Sequence, residues 1–523
     1  MTISSAVIPR TTPDRLALLA TLFCGLAAIF VMVVVSYQAG FVSPDSWTYL
    51  MMAESVRSIE SCSISGEYVA YHPCGYPALI ALASVLTGGD LHLAAKALNA
   101  LFLAGSGWMV YRASNNAVFG FLYAVNPIAL AIAHYTWSEN AFLAATAMVF
   151  LALVRMASTK GSVTYHGLLI AGLLLGVSSR YYFAPYALLV FIVAWAIFGT
   201  ALAKRVFPWF CVAAAVFLGN LALNWKLTGH PTGLDRIPPP ETITFLGFSY
   251  IGYLTEGSAK FLMGTAFLVA LAVYGYIRRR HIAAESAAAA PAYRFMVWLG
   301  LSYLFLALIL RLITQYDIYD ERTVGLGLVF ILSAVLGKAL AQAGKPVLTT
   351  LAVALTAALS LLTSHAQLYS DMLKGHGRAY LGDGFAAAVA TYDAPFLLQP
   401  GDIVLPFQLP EPKWSVAAHP TLYYPEGVRP IYIKTAPYFT RETDDELRAR
   451  LQDYGERCYF DFYNVGNAEE LQALLNARFP VDAFPGLYGA PKVKASEPAY
   501  DLKVARRIEE IFKPKALVPC AAY

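Results

Sequence analysis

The sequence predicts a mainly α-helical fold: a polytopic bundle of about 11 transmembrane helices over residues 1–364, followed by a soluble α/β domain over residues 365–523. Three observations predict it. Of 523 residues, 58% are hydrophobic and only 14% are charged, far too apolar for an ordinary soluble chain. Apolar runs recur that approach the roughly 20 residues needed to cross a bilayer. Polar residues, proline and charge return only from about residue 365. The net charge of +4 carries no basic block, so nothing points to nucleic acid as a partner.

Spans are expected at 16–36, 93–111, 116–133, 139–156, 164–179, 181–199, 206–224, 259–277, 294–313, 323–341 and 346–363. The first run follows Arg10 and Arg15, exceeds a signal-peptide core and lacks a small-x-small cleavage site, so it reads as a retained span. The fifth and sixth abut at "SSRYYF". Within the first outer loop, residues 37–92, "GYPALIALASVLTG" is apolar but short and reads as an interfacial or re-entrant helix. With the N-terminus inside, Arg112, Arg155, Lys160, Lys204, Arg205, "RRRH" at 278–281, Lys338 and Lys345 all fall inside. Asp45, Glu54, Glu60, Glu139, Asp235, Glu241, Glu256, Asp317, Asp320 and Glu321 fall outside. That asymmetry follows the positive-inside rule. It predicts an odd number of spans, a cytoplasmic N-terminus and an extracytoplasmic, periplasmic C-terminal domain on a bacterial inner membrane.

In the C-terminal part, Thr443-Asp-Asp-Glu446 has capping-box spacing before a helix. "CYFDFY" alternates its aromatics as a strand does. Cys24 and Cys211 lie within expected spans, and Cys62, Cys74, Cys458 and Cys520 lie outside. An even number of outward cysteines in an oxidising compartment permits disulfides. The neighbourhoods pair Cys62 with Cys74 and Cys458 with Cys520, four free thiols being the alternative.

Ionisable groups near the hydrocarbon boundary are costly and need partners or a purpose. In "FVSPDSWTYL", Ser43 suits an N-cap and Pro44 the first helical position. Asp45 then either answers the helix dipole or acts as a base at the membrane surface. Glu139, in "HYTWSEN", sits at the outer end of the fourth span, with Ser138 as its own candidate cap. Arg180, Arg311 and Arg322 reach the same depth, either to snorkel and pair or to meet a ligand. Acids and arginines converging there suit one chemistry. Arginine neutralises the phosphate of a lipid-linked sugar, and a carboxylate takes the proton of an attacking hydroxyl.

The segments "PDSWTYL", "YHPCGYPALIAL", "LYAVNPIALAIAHYTWSEN", "LLLGVSSRYYFAPYALL" and "YDERTVGLGLVFI", in that order, give the chain its resemblance to the GT-C glycosyltransferases. It most resembles the bacterial relatives of protein O-mannosyltransferases and of lipid A aminoarabinose transferases. The resemblance covers residues 16–340 and departs at three places. Cys74 replaces a proline of the Pro-Pro-Gly-Tyr-Pro segment, Ser46 follows Asp45 where the protein mannosyltransferases have Glu, and Thr323 follows Arg322 where Tyr is common. The resemblance implies a polyprenyl-phosphate sugar donor, an inverting transfer and a catalytic base at Asp45. It places Glu139 as the second catalytic acid and Arg180 and Arg322 on the donor phosphate. His72 and Tyr76 would line the cavity, along with Tyr49, Asp320 and Glu321, with an interfacial polar anchor as the alternative for His72 and helix packing as the alternative for Tyr49. No His/Cys cluster has zinc-ligand spacing. No cofactor is required, although the two acids permit a divalent cation. The acceptor is a lipid, a glycan or a protein. The competing class is a lipid or glycan transporter or a polymerase-like membrane protein, but the chain shows no internal repeat and its ionisable groups gather at one face.

Overall fold

The computed structural model describes residues 12–38, 41–59, 61–64, 67–158, 162–233, 241–278, 290–314, 319–341, 346–373, 378–379, 399, 401–408, 429–430, 444–463, 467–477, 479–483, 487–488 and 515–522. The Thr443 capping box lies outside them. The larger part is a helical bundle: α1 (Thr12–Gln38), α2 (Pro44–Arg57), α3 (Gly75–Ser84), α4 (Leu91–Ser114), α5 (Ala117–Ala124), α6 (Pro127–His134), α7 (Glu139–Ser158), α8 (Val163–Ser179), α9 (Phe183–Phe198), α10 (Thr200–Thr228), α11 (Ile243–Gly264), α12 (Ala266–Arg278), α13 (Ala290–Ile313), α14 (Leu326–Ala341) and α15 (Pro346–Leu373). Phe23, Phe30, Leu101, Leu218 and Phe248 each stand more than half exposed on its outside. So apolar an exterior fits a lipid solvent, in which α-helices satisfy their own backbone.

Among the described residues, seven helices are long and apolar enough to cross a membrane, or nine if each of two bent pairs counts as one span. The chain is therefore a multi-pass membrane protein. The expected spans differ from these helices in three ways. The run 116–133 is broken into α5 and α6, bent by 44°, because Asn126 caps α6 by accepting from the amides of Ile128 and Ala129 and Pro127 follows it. The run 259–277 straddles an 82° bend at Thr265 between α11 and α12, so the helical unit there starts at Ile243 and hydropathy alone misplaces it. The runs 164–179 and 181–199 are α8 and α9, of 17 and 16 residues, apolar but shorter than each of the seven helices counted above. The segment "GYPALIALASVLTG" forms α3 and one following turn of 3-10 helix.

Two short pairings organise the segment between α1 and α4. β1 (Phe41–Val42) pairs antiparallel with β4 (Arg378–Ala379), beyond α15. β2 (Ser63–Ile64) pairs with β3 (Glu67–Tyr68), and a disulfide joins Cys62 to Cys74, Cα atoms 6.0 Å apart. Farther along lies a five-stranded mixed sheet of β5 (Ile403–Gln408), β6 (Arg429–Pro430), β7 (Cys458–Tyr463), β8 (Leu487–Tyr488) and β9 (Lys515–Pro519), ordered β6-β5-β7-β9-β8. "CYFDFY" is β7, and its alternate residues Cys458, Phe460 and Phe462 enter a core of their own. Leu451 of α16 (Asp444–Tyr454) and Leu471 and Leu475 of α17 (Ala468–Asn476) pack there too. A second disulfide joins Cys458 to Cys520.

Gly75 is where α3 meets α8. A Cβ there would lie 2.5 Å from the Ser178 carbonyl oxygen, so Gly75→Ala should cost about 1–3 kcal/mol through overpacking. Gly167→Ala is the control, because no atom lies within 4 Å of its built Cβ. Thermal unfolding in detergent should show a lowered midpoint for Gly75→Ala alone. Equal midpoints would contradict the close α3–α8 approach.

Candidate active site

The site is assembled where helices stop. The C-terminus of α6 is met by side chains of α4: Lys96 donates to the His134 carbonyl, and Asn99 donates to the carbonyls of Ala133 at 3.2 Å and Tyr135 at 2.8 Å. Lys96 and Asn99 are both fully buried. Residues 135–138 therefore leave α6 on a fixed path and fasten to α2. The Thr136 amide donates to Ser46 Oγ at 3.1 Å, and Trp137 Nε1 donates to Ser43 Oγ at 2.6 Å. Ser43 also caps α2, accepting from the Ser46 amide at 3.1 Å, with Pro44 at the start of the helix.

This places two acids and two arginines together. Arg322 Nη2 donates to Asp45 Oδ2 at 2.6 Å, and its Nε donates to Glu139 Oε1 at 2.7 Å. Arg180 Nη1 reaches the same Glu139 oxygen at 2.5 Å. Arg180 comes from the break between α8 and α9. Arg322 comes from a turn of π-helix, Glu321–Gly325, ahead of α14. The Arg322 guanidinium also lies 4.5 Å from the centroid of the Trp137 ring, a cation–π contact. Glu139 has no exposure, whereas the Asp45 side chain is 25% exposed. Asp45 therefore occupies the first turn of α2, where it answers the helix dipole, and also binds Arg322.

The other expected residues fall into distinct places. His72 Nε2 lies 3.7 Å from Asp45 Oδ1, and its Nδ1 lies 3.3 Å from the Tyr49 hydroxyl, so it borders the acids. Tyr49 and Tyr76 do not line an open cavity. Both rings are buried and meet edge to face at 5.3 Å. They brace the site instead: Tyr49 donates to Ser138 Oγ at 2.9 Å, and Tyr76 donates to Asn99 Oδ1 at 2.7 Å. Burial first, then the Glu139 and Asp45 carboxylates, push the Tyr49 phenol far above its ordinary pKa and keep it a donor. Asp320 turns back on the chain, its carboxylate capping the π-turn by accepting from the amides of Arg322 and Thr323. Glu321 pairs with Lys260 of α11. Arg311 binds Glu241 at 2.6 Å.

Lys260, Trp137, Lys96 and Asn99 went unremarked in the sequence. Lys260 had a signal: a lone lysine inside the apolar stretch "GSAKFLMG" is a functional candidate by its burial cost. The others act through contacts that no local pattern announces. Among the described residues, no three or more His, Cys, Asp or Glu side chains are grouped to hold a metal ion. Arg322 bonds to both Asp45 and Glu139, so a divalent cation bridging these acids would have to displace its guanidinium.

No family model matches the chain, and no curated protein matches it. Solved structures do. The crystal structure of ArnT from Cupriavidus metallidurans bound to undecaprenyl phosphate superposes with a TM-score of 0.58 at 12% identity, over 95% of this chain and 97% of that one. The same protein in the apo state gives a TM-score of 0.55 over the same shares, also at 12% identity. At that identity the likeness speaks to the fold alone, which this chain shares with ArnT.

Proposed function

We propose that the chain is a membrane glycosyltransferase that moves a sugar, with inversion, from a polyprenyl-phosphate donor to an acceptor hydroxyl at the outer face of the membrane. The observation that carries this reading is Arg322, bonded at once to the partly exposed Asp45 and the buried Glu139. The undecaprenyl phosphate held by ArnT supports a donor of that class here.

In this mechanism the donor phosphate takes the guanidinium edge of Arg322 that Asp45 now holds, and Arg180 adds a second charge. Glu139 stays behind both arginines and fixes their direction, so its part is to position them. Asp45, released from Arg322, accepts the proton of the acceptor hydroxyl. The acceptor oxygen attacks the anomeric carbon from the face opposite the phosphate. The bond from that carbon to the phosphate oxygen breaks, and polyprenyl phosphate leaves with its new charge beside the arginines. Preorganised charge of this kind needs no reorganisation as the reaction proceeds.

The same reading makes α8 and α9 spans in addition to the nine, giving eleven, with the N-terminus cytoplasmic and residues 365–523 an extracytoplasmic α/β domain. The loop charges and the sheet beyond α15 support it. A reporter fused after residue 365 should then act as periplasmic, and one fused after Arg280 as cytoplasmic. Both on one side would end the eleven-span topology.

The test of function is single-turnover transfer of radiolabelled sugar from polyprenyl-phosphate donors into a membrane lipid extract by purified protein. Asp45→Asn keeps the volume and the helix-start preference but removes the base, so the rate should fall by roughly 10²–10⁴-fold. Transfer within a few-fold of the parent would remove Asp45 from that role. Arg180→Ala and Arg322→Ala should each weaken donor binding by roughly tenfold or more, since a charge-assisted hydrogen bond contributes about 1.5–3 kcal/mol. Lysine should restore only part, having no planar fork. Unchanged donor affinity in both alanine variants would leave the arginines as structural.

A further inference from the structure

At the far end of α14 from Arg322, the helix forms one wall of a cavity of about 440 Å³ whose other wall is the start of α13. Tyr293, Arg294 and Val297 line it from α13, and Val335 and Lys338 from α14. The span Glu321–Leu340 carries Arg322 at one end and Lys338 near the other. At a rise of 1.5 Å per residue these stand roughly 24 Å apart, most of the bilayer's hydrocarbon thickness of about 30 Å. The cavity therefore opens at the membrane face opposite the acids and arginines of the active site.

Its floor is tied together. Asn116 donates from one amide nitrogen to the Tyr293 hydroxyl at 2.7 Å and to the Gly337 carbonyl at 2.8 Å, bridging α13 and α14. The Asn116 carboxamide oxygen caps α5. Tyr293 is buried and lies 5.1 Å from the Phe119 ring. At Gly337 a Cβ would stand 2.8 Å from Phe119, so the helices close tightly beneath the opening. Above this floor Val335 is exposed, and Arg294 and Lys338 stand exposed on opposite walls.

We propose that this groove binds an anionic glycerophospholipid of the leaflet opposite the active site. Arg294 and Lys338 meet the headgroup phosphate, and Val297 and Val335 lie along the start of an acyl chain. Two cations beside an apolar slot at headgroup depth complement a lipid that carries a net negative charge. A small free anion would have no use for the apolar half. A zwitterionic lipid brings a cation of its own to the two basic groups.

The test uses the full chain, delipidated in neutral detergent and titrated with phosphatidylglycerol, phosphatidylcholine or inorganic phosphate. Bound lipid is read by native mass spectrometry and stabilisation by thermal unfolding. Phosphatidylglycerol should bind and raise the midpoint, while phosphatidylcholine and phosphate at matched concentration should not. Because each basic group near a headgroup contributes on the order of 1 kcal/mol, the double variant Arg294→Ala/Lys338→Ala should bind phosphatidylglycerol roughly tenfold or more weakly. Val335→Trp fills the slot without changing charge and should weaken binding as well. The proposal is overturned if both variants keep the parent's affinity for phosphatidylglycerol, if phosphatidylcholine binds equally, or if inorganic phosphate displaces the lipid.

Discussion

A carboxylate sealed away from water is tolerated only when its charge is answered, and Glu139 is answered twice. One of its oxygens receives Arg180 and Arg322 together. Each arginine belongs to a different break in the bundle, so this oxygen draws the α8–α9 junction and the turn before α14 onto the start of α7. Arg322 carries the tie onward to Asp45 and the start of α2. Removing the Glu139 charge would take from Arg180 and Arg322 the carboxylate they share, a loss on the order of 3–5 kcal/mol by comparison with other broken buried pairs. The arrangement of these acids and arginines is in that sense a by-product of burying one acid.

The membrane explains why the site lies at helix ends. In hydrocarbon, backbone groups must be satisfied internally, and irregular chain is confined to the protein interior or a cavity. Each break that feeds the site is closed by side chains. Asn126 caps α6, Lys96 and Asn99 take its last carbonyls, and Asp320 caps the π-turn. The breaks cost no orphaned backbone at these points, and they turn acids and arginines inward instead of out to lipid. The cavity across the membrane is closed by the same device, with Asn116 bonded to both of its helices.

Much of this was legible in the sequence where a residue's role is local. Composition and apolar runs gave the bundle, and Ser43-Pro44 gave the start of α2. Depth alone gathered Asp45, Glu139, Arg180 and Arg322. Pairing was not legible, because all ionisable groups at one depth look alike along the chain. Depth alone sets Arg311 beside Arg322, yet it binds Glu241. Asp320 and Glu321 flank the key arginine but face the backbone and Lys260. The bend at Thr265 escaped because hydropathy does not change across it. Tyr76 reads as a lining residue, but large aromatics satisfy their one hydroxyl and bury the rest of the ring, as Tyr49 does in the packing role open to it.

The central claim is that Asp45 and the donor phosphate compete for one edge of Arg322. The most direct measurement is the affinity of Asp45→Asn for a polyprenyl-phosphate ligand, set against that of the parent by equilibrium titration in detergent. Removing the competing carboxylate should make that affinity tighter. An unchanged or weaker affinity in folded Asp45→Asn would mean that the carboxylate does not compete with the ligand, and would contradict the exchange on which the mechanism rests.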